Sequence, residues 1–148
     1  MKLEQKIGVV GNGFVGAAVK FGFSPQVGCD AEVRVYDINP SKSTHELEET
    51  VNKSDFVFLS VPTPANSDGS INIDILESAL SDINEVSEVD NYILIRSTVV
   101  PGTTWALQEK FSNLNLLFNP EFLTERSANF DFINQSRFII GHGQQMLS

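Results

Sequence analysis

Three glycines near the start of the chain, Gly11, Gly13 and Gly16, have the spacing of a phosphate-binding turn. A short apolar run of strand type, 7–10, precedes them, and an apolar helical pattern follows. In such a turn the first glycine permits the sharp bend, the second lets the backbone approach a pyrophosphate, and the third lets helix and strand pack closely. The helix that begins there directs its free N–H groups at a bound phosphate. Three glycines at this spacing also occur in ordinary turns. The surrounding residues therefore have to show whether this turn binds phosphate.

The carboxylate of Asp37 ends the second predicted strand, about 20 residues after Gly16, where a dinucleotide site needs an acceptor for the adenosine ribose hydroxyls. Its charge also disfavours NADP, since a phosphate charge ~4 Å away would be repelled by about 4 kcal/mol at an effective dielectric near 20. A solvated aspartate at a strand end is the simpler alternative. The glycine turn, the strand and the spacing together favour an NAD site.

Strand and helix patterns alternate along the rest of the chain. Strands are predicted at 6–10, 32–37, 55–61, 92–97, 115–118 and 137–141, and helices at 14–22, 44–52, 75–87 and 103–111. A capping box from Ser43 to Glu46 is expected to open the second helix, and Asp74 to cap the third. The alternation predicts an α/β fold: a doubly wound parallel sheet of the Rossmann type, about six strands with helices on both faces. We expect residues 1–148 to form this one domain.

Three further segments follow the carboxyl ends of predicted strands, where ligands bind in open α/β sheets. Val61 to Pro64 is a loop stiffened by two prolines, and Ser97 to Gly102 offers two adjacent hydroxyls. Asn119 to Glu125 carries two carboxylates four residues apart, Glu121 and Glu125, which would share one face of a helical turn. From spacing alone, a rigid turn and a helix cap are open alternatives for the first two segments, and a solvated acidic pair is the favoured interpretation of the third.

Composition excludes several other classes of function. The net charge of −9 would repel nucleic acid and anionic lipid. No apolar run approaches the ~20 residues that a membrane span needs, so we expect a cytoplasmic protein. A single cysteine excludes an internal disulfide and fits a reducing compartment. Metal-ligand spacing is missing, because His45 and His142 stand apart from other ligand types, and we expect no metal.

Six strings in one order carry a family resemblance. They are Gly11–Gly16, Tyr36–Pro40, Val61–Pro64, Arg96–Thr103, Asn119–Leu123 and Arg137–Gly141. Together they resemble the NAD-binding domain of the UDP-glucose/GDP-mannose dehydrogenase family, over nearly the whole chain. Members of that family oxidise the C6 alcohol of a nucleotide sugar to a carboxylate with two NAD+, so the resemblance implies a nucleotide-sugar substrate, UDP-glucose first among them.

The resemblance also implies roles for individual residues. The residues implied for NAD are Gly11, Asn12, Gly13, Phe14, Val15, Gly16, Asp37, Lys42, Val61, Pro62, Thr63, Pro64, Ser97, Thr98, Val99 and Glu125. Those implied for the nucleotide sugar are Glu121, Phe122, Leu123, Thr124 and Glu125. Glu121 resembles the family's acid/base carboxylate, and Thr98 would help to hold the catalytic water.

Two features depart from the family pattern. Arg126 stands where the family has glycine, and Gln135 stands where it typically has proline. The family's dimer helix, its nucleotide-sugar domain and its catalytic cysteine and lysine have no counterpart in the chain. Cys29 does not replace that thiol, because it precedes the second strand at the opposite end of the sheet.

Two hypotheses follow from this incomplete match. In the first, the chain is the NAD-binding part of a nucleotide-sugar dehydrogenase, and the cysteine and lysine half lies on a second chain or was cut away. In the second, it is a stand-alone NAD-binding module without catalysis. A third, a relative of 6-phosphogluconate dehydrogenase, is disfavoured by the string Asn119–Leu123.

Overall fold

The computed structural model describes residues 5–142 as an α/β fold built on one six-stranded sheet. The strands are β1 (Lys6–Val10), β2 (Glu32–Tyr36), β3 (Phe56–Leu59), β4 (Tyr92–Ile95), β5 (Asn115–Phe118) and β6 (Gly141–His142). The helices are α1 (Phe14–Gly22), α2 (Leu47–Asn52), α3 (Asp74–Val86), α4 (Thr103–Lys110) and α5 (Ala128–Asn134). Across the sheet the order is β2-β1-β3-β4-β5-β6. No helix within 5–142 combines the length and the apolar character that crossing a bilayer requires.

Successive strand residues point to opposite sides of the sheet. Both sides carry apolar residues, and helices cover both faces. On one face, Val9, Phe58 and Leu94 pack against residues of α1 and α5. The other face packs against α2, α3 and α4, and its buried members include Val51, Val57, Leu59, Leu76, Leu80, Ile93, Ile95 and Leu107. The predicted doubly wound fold is therefore confirmed.

The sixth strand differs from its prediction. The strand expected at 137–141 is only Gly141–His142, and it runs antiparallel to β5, whereas β1 to β5 are parallel. The apolar side chains at 138–140 suggested a buried strand, but they are 44–49% exposed. The strand pattern is realised only at Gly141 and His142, which pair with Phe118 and Leu117.

The predicted capping box is also wrong. Helix α2 begins at Leu47, and the Ser43 hydroxyl instead bonds the backbone of Asp37, accepting from its N–H at 2.8 Å. The next residue, Thr44, accepts a hydrogen bond from the N–H of Val35 through its hydroxyl at 3.0 Å. These local side-chain bonds satisfy the free edge of β2, and they compete successfully with helix capping.

The predicted cap of the third helix lies one residue inside it. Asp74 is the first residue of α3, and its N–H donates to the side-chain oxygen of Asn72 at 2.8 Å. Asn72 therefore satisfies one of the free donors at this helix start. Helix α5 was not predicted, because its seven residues show no clear helical period and no capping box precedes them.

Candidate functional site

A cleft of about 800 Å³ opens at the carboxyl ends of β1, β3 and β4. It lies at the switch point of the sheet, since the chain leaves β1 for the α1 face and leaves β3 for the α3 face. The predicted site residues that line it are Gly11, Gly13, Phe14, Val15, Asp37, Lys42, Val61, Pro62, Thr63, Ser97, Thr98 and Glu121. The structure thus brings together five segments that are far apart in sequence.

A glycine is present at each of the three positions of the turn for a different structural reason. Gly11 has φ +91°, and a side chain there would overlap the carbonyl oxygen of Ser60. A side chain at Gly16 would overlap the carbonyl oxygen of Gly11, so both positions are required by the fold. A side chain at Gly13 would meet nothing within 4 Å. Gly13 is therefore free of a folding requirement, and it borders the open cleft where α1 begins without a side-chain cap.

Asp37 joins the glycine turn to the tip of β2. One carboxylate oxygen accepts from the N–H of Asn12 at 2.7 Å, and the other accepts from the N–H of Asn39 at 2.8 Å. Each oxygen has a second lone pair, so the carboxylate can still accept bonds from a ligand in the cleft. The Asn12 side chain donates to the carbonyl of Lys42 at 2.8 Å, which fixes the turn from outside the cleft.

The loops that follow β3 and β4 are tied together by hydroxyl groups. Ser97 Oγ donates to the carbonyl of Val61 at 2.7 Å and accepts from its N–H at 3.2 Å. Thr63 Oγ1 donates to the carbonyl of Thr98 at 2.7 Å. Neither hydroxyl at 97–98 caps α4, which follows Gly102 without a side-chain cap. Thr98 is left exposed on the cleft wall, whereas Pro64 and Val99 lie outside it.

Glu121 and Glu125 do not share a helical face, contrary to the sequence prediction. Residues 121–124 are non-helical, and Glu121 accepts a hydrogen bond from the N–H of Leu123 at 2.8 Å, which favours a local turn. Glu121 lines the cleft, while Glu125 is exposed in the next turn and lies outside it. Phe122 is 73% exposed, and Leu123 packs against the α1/α5 core.

Thr124 is engaged in the start of α5. Its N–H and hydroxyl donate to one carboxylate oxygen of Asp131 at 3.0 and 3.1 Å, and the Ser127 hydroxyl donates to the same oxygen at 2.8 Å. The bond from the Thr124 N–H and those from the two hydroxyls hold the pKa of Asp131 below its ordinary value of 3.8. This carboxylate fixes the end of the loop that carries Glu121.

Because the pKa of Asp131 is lower in the folded chain, its contribution to stability is complete above about pH 4 and is lost as pH falls through the lowered value. We expect the amide NMR signals of Thr124 and Ser127 to shift over that acidic range, before the core unfolds. In Asp131→Asn these signals should be insensitive to the same change of pH. Signals that move equally in both proteins would contradict this assignment.

Several cleft residues were missed from sequence. Ile38, directly after the predicted ribose acceptor, is 92% exposed and lines the cleft, with Leu47, Ile75 and Ala79 as further apolar walls. Its position after Asp37 was not a usable signal, because a single apolar residue at a strand end is common on protein surfaces. Ala79 packs against the core and also borders the cleft, and helical periodicity cannot separate a core wall from a cleft wall.

More acidic than basic side chains line the cleft, so the positive field for an anionic ligand must come from the backbone. The acidic residues that line it are Asp37, Asp74, Asp82 and Glu121, against the cations Lys42 and Arg96. An anionic ligand therefore depends on the free N–H groups at the start of α1. Among residues 5–142, no group of three or more His, Cys, Asp or Glu side chains could hold a metal ion.

A parallel sheet with an open glycine turn, a helix N-terminus and a strand-end carboxylate at its switch point defines a dinucleotide-binding domain of the Rossmann type. Residues 41–147 match the model of the UDP-glucose/GDP-mannose dehydrogenase family, NAD binding domain. The chain therefore belongs to that family, as its motifs predicted, and its cofactor is NAD.

Individual relatives agree with this assignment. The chain is 34% identical to a UDP-glucose 6-dehydrogenase of Campylobacter jejuni over 72% of its own length. It is 35% identical to an uncharacterised protein of Methanocaldococcus jannaschii over 93% of its length. Among solved structures, a UDP-glucose dehydrogenase of Pyrobaculum islandicum superposes with a TM-score of 0.83 at 26% identity, covering 97% of the chain.

The chain spans only part of each of these proteins. It covers 27% of the C. jejuni protein, 18% of the M. jannaschii protein and 42% of the P. islandicum chain. The family and the cofactor therefore apply to this chain, while the reaction of the longer proteins does not transfer by similarity alone.

Proposed function

We propose that the chain is the NAD-binding part of a nucleotide-sugar dehydrogenase that oxidises the C6 alcohol of UDP-glucose to the carboxylate of UDP-glucuronate with two NAD+. The observation that carries this proposal is the presence of Glu121 and Thr98 in the same cleft as the glycine turn and Asp37. A group for proton transfer thus borders the space that the dinucleotide would occupy. The same proposal includes a cytoplasmic location.

The lining of the cleft fits NAD+. The free N–H groups of Phe14 and Val15 would hold the pyrophosphate above Gly13, and Asp37 would accept from the adenosine ribose. Ile38 and Leu47 offer apolar walls of the kind that an adenine ring packs against. When bound, NAD+ supplies the acceptor for the hydride that leaves C6.

Glu121 is the group proposed to handle the proton. A carboxylate that borders the cleft can accept a proton from the C6 hydroxyl or from water, directly or through one bridging water. The exposed Thr98 hydroxyl can hold that water by a hydrogen bond. The nucleotide sugar would meet the loop from Glu121 to Glu125, chiefly through its backbone, because the Thr124 hydroxyl is engaged by Asp131.

The second oxidation needs a group that the cleft does not contain. It requires a nucleophile that forms a covalent bond to the aldehyde carbon of the intermediate. Cys29 is the single cysteine of the 148 residues. Cys29 precedes β2, at the amino end of the strand, whereas the cleft lies at the carboxyl ends. We therefore propose that the thiol comes from a partner chain or a further domain. The missing thiol also favours the alternative, an NAD-binding module without catalysis.

A chimera distinguishes these two functions. The chain would replace the matching NAD-binding part of the C. jejuni UDP-glucose 6-dehydrogenase, and NADH release would be followed by absorbance. We expect two NADH per UDP-glucose from the chimera and none from the isolated chain. A folded chimera that binds NAD+ as tightly as the isolated chain and oxidises no UDP-glucose would overturn the proposed activity and leave the binding module.

Replacing Glu121 with glutamine tests its role in proton transfer. In the isolated chain, Glu121→Gln should change NAD+ affinity by less than about threefold, because no phosphate or ribose contact is removed. In the chimera the rate of NADH release should fall by about 10²- to 10⁴-fold, the usual contribution of a general base. Glu109→Gln, at an exposed position of α4 outside the cleft, is the matched control. Equal rates for the two variants would remove Glu121 from the mechanism.

A further inference from the structure

Arg96 is a buried cation directly beside the cleft. It follows β4 and is 2% exposed, although charged side chains are rarely buried so completely. Its guanidinium carbon lies 5.9 Å from the ring centre of Phe58 on β3 and 5.5 Å from that of Phe132 on α5. Two aromatic faces thus enclose the cation on the side of the sheet that α1 and α5 cover.

The hydrogen bonding of this arginine is incomplete. One terminal nitrogen, Nη1, donates to the side-chain oxygen of Asn119. Within the described residues, Nε and Nη2 of Arg96 are buried and make no hydrogen bond. Burial lowers the pKa of Arg96 to about 10, and the nearby carboxylate of Glu121 acts in the opposite direction. The side chain is therefore still positively charged at neutral pH.

A cation in this state is a poor stabiliser of a fold. Buried charges are costly unless they are paired and fully hydrogen-bonded, and an apolar side chain of similar volume is often as stable or more so. The positive charge that Arg96 retains is attracted by Glu121, the carboxylate that borders the cleft. This pattern, a desolvated group with one specific charge partner beside a cleft, is typical of functional sites.

Arg96 is also connected to Glu121 through the chain. Asn119, its hydrogen-bond partner, is 1% exposed, donates its backbone N–H to the carbonyl of Ile95 at 2.9 Å, and donates its side-chain amide to that of Ile139 at 2.7 Å. Glu121 follows two residues later and accepts from Leu123. The guanidinium thus contacts the fixed end of the loop and attracts the carboxylate at its centre.

We propose that Arg96 is a positioning residue that fixes the Glu121 carboxylate at the cleft, by its charge and by its hydrogen bond to Asn119. This inference rests on the proposed function only for what Glu121 does; the positioning itself concerns the isolated chain. It predicts that the order of the turn from Glu121 to Leu123 depends on a cation at position 96.

The test follows the exchange rate of the Leu123 amide by NMR, because its hydrogen bond to Glu121 reports the position of that carboxylate. In Arg96→Met we expect exchange to become at least tenfold faster. In Arg96→Lys, which retains the charge, the rate should stay within about threefold of the original. Arg34→Met removes another buried arginine, on β2, and is the matched control that should leave the rate unchanged.

Glu121→Gln provides the second arm. It should also accelerate exchange at Leu123, and adding Arg96→Met to it should have no more than a twofold further effect, because the cation then has no carboxylate to hold. A purely structural arginine would give different results: additive effects, equal damage from Arg96→Lys and Arg96→Met, or faster exchange throughout the sheet. Any of these, or an unchanged rate in Arg96→Met, overturns the proposal.

The same samples separate this inference from the proposed function. NAD+ affinity is measured on each variant by calorimetry, and we expect Arg34→Met, which lies outside the cleft, to bind within about threefold of the original chain. Loss of the chimera's turnover, with exchange at Leu123 behaving as expected, would remove the proposed reaction and keep the positioning role. An exchange rate at Leu123 that does not change when Arg96 is replaced would remove the positioning role, whatever the activity of the chimera.

Discussion

Gly13→Ala is expected to weaken NAD+ binding by about 5- to 150-fold while leaving the thermal midpoint of the chain unchanged. In the folded chain a methyl group at this position meets nothing within 4 Å, and the backbone at φ −76° suits any residue. The methyl would instead occupy the space through which a pyrophosphate approaches α1. Overpacking of one methyl group costs about 1–3 kcal/mol, which gives that range of affinities. Calorimetry with NAD+ and thermal unfolding measure the two effects.

Gly16→Ala is the matched control for this experiment. A side chain at Gly16 would overlap the carbonyl oxygen of Gly11, so this variant should lose stability as well as affinity. If Gly13→Ala binds NAD+ as tightly as the original chain, the pyrophosphate does not lie over the turn. If it unfolds at a lower temperature, Gly13 has a folding role that the geometry does not reveal.

The second large effect concerns the choice between NAD+ and NADP+. A phosphate charge ~4 Å from Asp37 is repelled by about 4 kcal/mol per unit charge at an effective dielectric near 20, before screening by salt. The original chain should therefore prefer NAD+ strongly. Asp37→Asn removes the charge, keeps a side-chain oxygen for the N–H of Asn12, and should reduce this preference at least tenfold.

Asparagine is the better substitution at this position, because alanine would also release the N–H groups of Asn12 and Asn39. Asp82→Asn, on α3 at the wall of the same cleft, controls for the general loss of one negative charge. Dissociation constants of both coenzymes at low ionic strength measure the preference. An unchanged ratio in Asp37→Asn, or an equal change in Asp82→Asn, would remove Asp37 from the ribose site.

The sequence was most informative where structure depends on local chemistry. The bounds of β5 and α1 were predicted to the residue, because a short apolar run and a helical period are properties of neighbouring residues. The requirement for glycine at positions 11 and 16 could be predicted from the spacing of the glycine turn. The fold, the family and NAD followed from these elements and from their order along the chain.

Contacts between distant segments could not be predicted in the same way. Nothing in the spacing of Glu121 and Glu125 indicated that one faces the cleft and the other does not, since a turn closed by the N–H of Leu123 replaces the expected helix. The environment of Arg96 depends on β3 and α5 together, and α5 itself lacks a sequence signal. Ser43 looked like a helix cap because the free edge of β2 is not visible in sequence.

The most direct test of the account is an NMR titration of the ¹⁵N-labelled chain with NAD+. We expect the largest amide shifts at residues 11–15 and at Asp37, where the start of α1 and the tip of β2 border the cleft. Saturable shifts there, with smaller changes at the amino ends of the strands, are the predicted result. No response at millimolar NAD+, or shifts centred on Lys53 and Asn91 at the opposite edge, would contradict it.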